Sequence, residues 1–478
     1  MNPFNFSLAV LGCRANQEEL DALRSVLLAL GGRERQFPAA ADLTLVNTCA
    51  VTASALAQSR QELRKAGRRQ VGGQVWAIGC GAQMDPATLA TLDGVDLVIG
   101  NRAKCLLPRL IEAFVQLRDD SCGPVPLPCV EEIIRAAGLE ASTSDPGRTP
   151  GHALPASRER TVAPILWSAN PRPEGFLSRS GPIPTSRSRA LVKIQDGCHH
   201  RCRYCIVPHL RGEPLSRPIP EILAEVGRLV EVGFCEIVLT GINLGLYGHG
   251  ALADRDRPPQ EHLPRLLRAL DDVEGLRRIR LSSLEPMTIS PVLLDQLTSN
   301  SKVARHLHLP LQSGSDAVLD RMGRPYRVAV VRELVRTVAE RWPRFGLGVD
   351  LVAGFPGERE EDHRETLALI EELPVTYVHA FTYSERPGTP AAADPDTVPH
   401  AQRKQRVADL RAASERLQLR FQERLRGDVS GVVVERIEAA RATPYSPAAS
   451  AEAGGLPAAG SRAAGLPLPA AGSRAAGL

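Results

Sequence analysis

No run of apolar residues in this chain of 478 approaches the roughly 20 that a membrane-spanning helix needs, so no transmembrane segment is expected. Residues 1–12 hold no Lys or Arg, and the apolar stretch ahead of Val10-Leu11-Gly12-Cys13 is short. A secretory leader or lipoprotein cleavage site is therefore not expected, and a cytoplasmic location is. Excess charge is also scarce: 58 Lys and Arg against 54 Asp and Glu leave a formal net charge of +4. Lysine itself is nearly missing, with only Lys65, Lys104, Lys193, Lys302 and Lys404, so the basic residues are overwhelmingly Arg. The planar guanidinium suits phosphate. GC-rich coding enriches Arg equally well, so composition alone is weak support for a nucleic-acid partner. What the chain does have is the 43% hydrophobic and 23% charged content of an ordinary globular protein, at a length that calls for two or three domains.

Residues 1–118 alternate short β-type runs with helical stretches: "FSLAVLG", a helix over 17–30, "LTLVNT", a helix over 55–66, "QVWAIG", "VDLVIG" and a helix over 105–116. That rhythm predicts a parallel α/β sheet. Residues 119–183 are rich in Pro, Ser, Gly and Arg, with only "CVEEIIRAAGLE" resembling a helix, and read as a linker or insertion. Over 184–415 strands return at 190–195, 236–240, 279–283, 306–309, 347–352 and 377–383, separated by helices, and six such units in series predict a parallel, partly closed barrel. A long helix over 401–425 leads to "GVVVERIE", and 416–440 read as the end of that helix plus one strand. Residues 441–478 contain "LPAAGSRAAGL" twice and read as a disordered low-complexity tail.

Ten cysteines in a reducing compartment speak for metal ligation or catalysis over disulfides. Three fall within eight residues, Cys198, Cys202 and Cys205, in "DGCHHRCRYCIVPHLRG", directly after the first barrel strand. A structural zinc site wants four ligands and would have to recruit His199, His200 or His209. A cubane iron–sulfur cluster held by three thiolates instead keeps one iron open for a substrate or cofactor. Cys13, Cys49 and Cys80 follow the first three predicted strands of the amino-terminal sheet, and parallel neighbours bring such positions to one edge. The other reading of each is a small buried cysteine under a loop.

A C-x3-C-x2-C loop after the first strand of a six-unit barrel resembles the radical S-adenosylmethionine superfamily, and the pairing with a second cysteine triad on an α/β domain resembles its methylthiotransferases. The strings "LGCRANQEE", "VNTCAVT", "GCGAQ", "KIQDGCHHRCRYCIVPHLRG", "HLHLPLQSGSDAVLDRMGRPY", "VDLVAGFPGE" and "FTYSERPGTPAA" carry that likeness over nearly all of residues 7–415, and "VLTGINLGLYG" with "RIRLSSLEP" looks most like the branch acting on N6-threonylcarbamoyladenosine beside the tRNA anticodon. Sibling branches act on isopentenyladenosine in tRNA or on an aspartate of a ribosomal protein.

The resemblance implies that Cys198, Cys202 and Cys205 hold a radical-generating [4Fe-4S] cluster and Cys13, Cys49 and Cys80 an auxiliary [4Fe-4S] cluster. One S-adenosyl-L-methionine would donate the methyl group; a second would yield the radical that takes hydrogen from C2 of the adenine. Partners would be tRNA and an electron-donor protein, with no membrane. Candidate cofactor contacts sit at strand ends: Tyr204 inside the cysteine loop, then Thr240, Gly241, Asn243, Glu285, Gln312, Ser313, Asp350 and Gly354. An ordinary loop role stands beside each. Cys105, Cys122, Cys129 and Cys235 fit no such pattern and are expected not to be ligands. Such enzymes usually end in a small RNA-gripping β-barrel, of which only "GVVVERIE" reads as a strand here; tRNA capture then falls to other basic surfaces, or the product is impaired. The reading from another class is a zinc-stabilised RNA-binding protein without catalysis.

Overall fold

A strand buried along its whole length must have both faces covered, and "LTLVNT" and "QVWAIG" are of that kind, with every residue buried. In the computed structural model, which describes residues 3–69, 72–119, 128–139, 163, 165–166, 175–183, 187–250 and 258–427, they are the middle of an all-parallel sheet. In chain order its domain runs β1 (Phe4–Val10), α1 (Arg14–Ala29), β2 (Gly32–Arg35), β3 (Leu43–Thr48), α2 (Ala53–Arg69), β4 (Gln74–Gly79), α3 (Cys80–Met84), α4 (Pro86–Ala90), β5 (Leu97–Gly100), α5 (Leu107–Asp119), α6 (Val130–Ala136) and β6 (Ile165–Leu166). The sheet order is β2-β1-β3-β4-β5-β6. Phe4, Phe6, Trp76 and Phe114 anchor one face, where the edge-on packing of Phe114 on Phe4 and Trp76 locks α5 to the strands.

The second domain comprises β7 (Ala190–Lys193), β8 (Gln195–Asp196), α7 (Val207–Arg211), β9 (Leu215–Ser216), α8 (Ile219–Glu231), β10 (Glu236–Thr240), α9 (His262–Asp271), β11 (Arg278–Leu281), α10 (Pro291–Ser299), β12 (His306–Gln312), α11 (Asp316–Arg321), α12 (Val328–Arg341), β13 (Gly346–Ala353), α13 (Glu360–Glu372), β14 (Tyr377–Thr382) and α14 (His400–Arg424). Its six main strands are parallel and hydrogen-bond as two triplets, β7-β10-β11 and β12-β13-β14. Bonds from Ile279 N to Lys302 O (2.7 Å) and from Leu284 N to His308 O (3.0 Å) join the triplets. No ladder joins β14 to β7 among the described residues, so the barrel is open on that side, where α1 packs on β7. Alternation along the strands sorts the side chains: Ile279, Leu281, Leu307, Val349, Leu351 and Val378 join the helical layer's core, leaving Arg280, His308, Asp350 and Tyr377 on the inner wall.

The α/β sheet followed by a six-strand open barrel is as the sequence predicts, with three revisions. A short strand, β2, lies between the first two expected ones, so the cysteine-bearing strands are β1, β3 and β4; at four residues with one buried, "GRER" carries no strand period. The first helix starts at Arg14, not residue 17, because Cys13 takes the extended N-cap conformation (ψ 170°). The segment expected as linker contributes α6, β6 and Arg179 to the packing: Val130, Ile133 and Ile134 enter the amino-terminal core, Ile165 pairs with Val98, and Arg179 is buried against Glu225. The proposed terminal strand at 431–438, the duplicated tail and Cys122 lie outside the described residues.

Candidate active site

Parallel pairing of β1 with β3 and of β3 with β4 aligns their carboxyl ends, with Val10 opposite Asn47 and Thr48 opposite Gly79. The turns that follow place Cys13 at the start of α1, Cys49 just after β3 and Cys80 as the first residue of α3. Gly12 has φ +91°, and a Cβ there would stand 2.7 Å from Cys49 Sγ, so the Cys13 turn lies directly on the Cys49 thiol. Gly79 has φ +92°, with no space for a Cβ against Asn47 Oδ1, and it swings the chain into Cys80. Asn16 ties the edge together by donating to Leu11 O at 2.8 Å and Thr48 O at 3.2 Å. Burial pushes the Cys80 thiol up to about 11 and that of Cys49 in the same direction. Cys13, Cys49 and Cys80 are electrostatically coupled to one another and to Arg211.

In the barrel loop, Cys198 N donates to Gly212 O at 2.9 Å and Cys205 N to Cys202 O at 3.0 Å, folding the thiols into one tight turn. The His200 N–H points at Cys198 Sγ (3.4 Å), and the Arg324 guanidinium donates to Cys202 Sγ at 3.2 Å while forming a buried ion pair with Glu285. Burial pushes Cys198 up to about 11 and Cys205 to about 12. Three thiols in one turn, met by an N–H and a guanidinium, would offer a cluster all-sulfur ligands and donors for its negative charge, a setting for an anionic iron–sulfur cluster.

The two cysteine-bearing regions pack together. Ala50, Leu56 and Cys80 from the sheet domain form one apolar cluster with Ile206 and Leu210 from the barrel loop, so Cys80 and the residue next to Cys205 share a wall. Behind it lies a buried ionic network that the sequence reading missed. Glu19 and Asp196 take Lys104, Lys193 and Arg211 between them, with Lys104 Nζ to Glu19 Oε1 at 2.6 Å and Arg211 Nη1 to Glu19 Oε1 at 3.0 Å and to Asp196 Oδ1 at 2.9 Å. Three cations against two carboxylates leave one positive charge in excess, and Arg211 presents it to Cys13 and Cys80. The available signal was "HLRG", which begins at His209 just past the cysteine motif. Arg386 adds a bond to Ala50 O at 3.3 Å, and Ala53 N donates to Ser384 Oγ at 3.1 Å.

The other sequence candidates divide. Tyr204 lies in the cysteine loop, edge-on to Phe355 with centroids 6.3 Å apart, and burial raises its pKa well above the usual value, keeping the hydroxyl protonated. The Asn243 side chain partly offsets the upward push of burial on the Cys198 thiol, and the Asn243 N–H is held by Gln195 Oε1 at 2.9 Å. Glu285 reaches the same loop through Arg324. Thr240 is buried at the end of β10, and Gly241 packs against Gln195. Gln312 follows a bulge with φ +70°, alone among described non-glycine residues in that region. Ser313 turns to Thr366 (3.4 Å), Gly354 donates to Glu358 and backs onto Arg403, and Asp350 turns to two histidines of the inner wall. Among the remaining cysteines, Cys105 lies in the turn ahead of α5, Cys129 just ahead of α6 and Cys235 just ahead of β10.

An α/β sheet ending in three thiols, packed on an open six-strand barrel with C-x3-C-x2-C after its first strand, defines a radical S-adenosylmethionine enzyme with a second cysteine triad. Residues 192–370 match the radical SAM superfamily, and residues 5–100 match a family described as Uncharacterized protein family UPF0004. The threonylcarbamoyladenosine tRNA methylthiotransferase MtaB of Bacillus subtilis is 32% identical over 426 residues, covering 89% of this chain and 83% of its own length. The tRNA-2-methylthio-N(6)-dimethylallyladenosine synthase of Desulfosudis oleivorans is also 32% identical, over 90% of this chain and 82% of its own. In fold, the chain is similar to the radical S-adenosylmethionine methyltransferase TsrM from Kitasatospora setae, at TM-score 0.54 and 18% identity over 81% of this chain and 74% of that one. The chain belongs to the radical S-adenosylmethionine methylthiotransferase family. It is thus an enzyme whose cofactors are S-adenosyl-L-methionine and two [4Fe-4S] clusters, and the zinc-stabilised, non-catalytic alternative is set aside. Among the described residues no helix is long and apolar enough to cross a membrane.

Proposed function

We propose that this enzyme places a methylthio group on C2 of N6-threonylcarbamoyladenosine next to the tRNA anticodon, with residues 1–118 and 184–415 as its two working domains. In this reading Cys198, Cys202 and Cys205 hold the radical-generating cluster, and Cys13, Cys49 and Cys80 hold the auxiliary one. The observation that carries it is the packing of Cys80 against Ile206, the residue after Cys205, which brings one member of each triad to a common apolar wall. A base held there meets both.

With the cofactors bound, the chemistry supplied is one-electron cleavage of S-adenosyl-L-methionine, hydrogen abstraction from an unactivated C–H bond, and a sulfur atom for transfer. The protein's part is placement and electrostatics. His200 N–H and Arg324 donate toward the sulfurs of Cys198 and Cys202, so added negative charge at that loop is stabilised. Arg211 does the same for the sheet-domain triad. Ala50, Leu56, Ile206 and Leu210 keep water from the gap, which suits a chemistry that water would quench. Tyr204, Thr240, Gly241, Asn243, Glu285, Gln312 and Ser313, at the carboxyl ends of the barrel strands, are the proposed contacts for S-adenosyl-L-methionine. Asp350 and Gly354 were candidates on the same ground, and their partners His308 and Arg403 point instead to roles within the barrel. The electron enters from a separate donor protein.

Relatives of both the threonylcarbamoyl and the dimethylallyl kind lie at the same identity, so the substrate is what needs testing. Mass spectrometry of tRNA nucleosides from cells with and without the gene decides it. Loss of 2-methylthio-N6-threonylcarbamoyladenosine with the gene supports the proposal; loss of the isopentenyl product instead, or unchanged tRNA, refutes it.

A further inference from the structure

The inner wall of the barrel carries a polar array that the chemistry above leaves unused. His306 Nε2 and His308 Nδ1 each lie 3.0 Å from Tyr377 Oη, His308 Nε2 lies 2.8 Å from Asp350 Oδ1, and His379 Nδ1 lies 3.2 Å from the same oxygen. These five side chains come from β12, β13 and β14 and form one continuous chain of hydrogen bonds. The ligand atoms of His308, Asp350 and His379 lie within 4.8 Å of one another, a spacing that a divalent cation also tolerates. The surroundings decide against a cation. The Asp350 charge already receives two imidazole donors, while Arg14 and Arg280 stand within electrostatic reach of Tyr377, and Arg14 within reach of Asp350 as well. Arg280 shares the single carboxylate of Glu236 with Arg278 and Arg189. Arg14, exposed and the residue after Cys13, makes no hydrogen bond or ion pair among the described residues. A guanidinium that no carboxylate hydrogen-bonds, next to another guanidinium and a phenol at the open side of the barrel, and near an Asp350 charge already satisfied by two imidazoles, is a receptor for an anion.

We infer that Arg14, with Tyr377 and the inner-wall histidines behind it, binds a carboxylate carried on the N6 substituent of the target adenosine, and so selects a threonylcarbamoyl group over an apolar isopentenyl group. This rests on the reading that the base reacts beside Cys13. An isopentenyl chain makes no use of Arg14 and would strip water from it without compensation, so the same residue attracts one substrate and rejects the other. Arg14 is a specificity residue here; hydrogen abstraction and sulfur transfer are left to the cofactors.

The test titrates the full, cluster-loaded chain with three anticodon stem-loops: one bearing threonylcarbamoyladenosine, one bearing its neutral carboxamide, and one with plain adenosine. Wild type binds the free acid roughly ten- to a hundredfold more tightly than the carboxamide, the worth of one charge-assisted bidentate contact. Arg14→Gln removes that margin and binds acid and carboxamide alike, and Arg14→Lys retains part of it. Equal wild-type affinity for acid and carboxamide overturns the inference, as does an Arg14→Gln variant that weakens all three loops by one common factor. Product analysis separates the two levels: a methylthio product on the threonylcarbamoyl loop without carboxylate preference sinks only the subsite, whereas product on an isopentenyl loop alone sinks the substrate reading with it.

Discussion

Glu18 and Glu19 are neighbours on α1, buried to 2% and 3% exposure, yet they should respond oppositely to neutralisation. Glu19 is surrounded by Lys104, Lys193 and Arg211, which hold its carboxyl far below its ordinary value of 4.5 despite burial. Glu18 has Arg179 at 3.5 Å, but that guanidinium and Arg217 are both taken by Glu225, and burial leaves the Glu18 pKa raised. Glu19→Gln leaves three buried cations facing Asp196 alone, a defect of about 3–5 kcal/mol by analogy with broken buried ion pairs. Glu18→Gln removes a charge the folded state holds reluctantly, and is expected to stay within about 1 kcal/mol of wild type. At about 2–4 °C per kcal/mol, anaerobic thermal melts should show Glu19→Gln down by roughly 6–20 °C and Glu18→Gln within about 4 °C. The pH dependence carries opposite signs. The Glu19 contribution is whole above the unfolded pKa of 4.5 and fades as pH falls below it toward the depressed folded value. The Glu18 carboxylate weighs on stability only above that range, so any gain from Glu18→Gln vanishes in acid. Equal damage from the two substitutions, or a Glu19→Gln protein that melts like wild type at neutral pH, would refute the charge accounting.

Cys202→Ala should retain about half of the roughly eight irons and form no 5′-deoxyadenosine, since the radical-generating site has lost a ligand; persistent cleavage of S-adenosyl-L-methionine would contradict the assignment. Cys49→Ala should show the same iron count by metal analysis yet keep forming 5′-deoxyadenosine while losing the methylthio product, and joint loss of both activities would count against separate clusters. Arg324→Met strands Glu285 beside the Cys202 loop and should lower stability by about 3 kcal/mol or more, whereas the Arg324→Met/Glu285→Leu pair recovers much of it. A double variant no better than the single one would show that the guanidinium matters for the sulfur and Tyr326 alone.

What could be read from the sequence is what repeats or sits within one turn of chain. β3, β4, β10, α12 and α13 are long, strongly patterned segments, and the structure ends them where the pattern ends. The cysteines were legible for the same reason: three share one loop, and the others follow strands whose parallel pairing converts equivalent positions into neighbours. Side chains that meet only in three dimensions were not legible. Lys104, Lys193, Asp196 and Arg211 look like scattered surface charge until Glu19, 85 residues from Lys104 and 192 from Arg211, closes the network. His306, Tyr377 and His379 likewise sit on strands about 70 residues apart with no local motif between them. Period-two alternation predicts that alternate residues of a barrel strand leave the helical core, but it does not say that polar ones are kept on the inside. Under the proposed function those polar residues line the place where a charged nucleotide enters, and a row of aliphatic residues in the places of Arg280, His308 and Asp350 would fill the barrel as the Val, Ile and Leu layers of a closed one do.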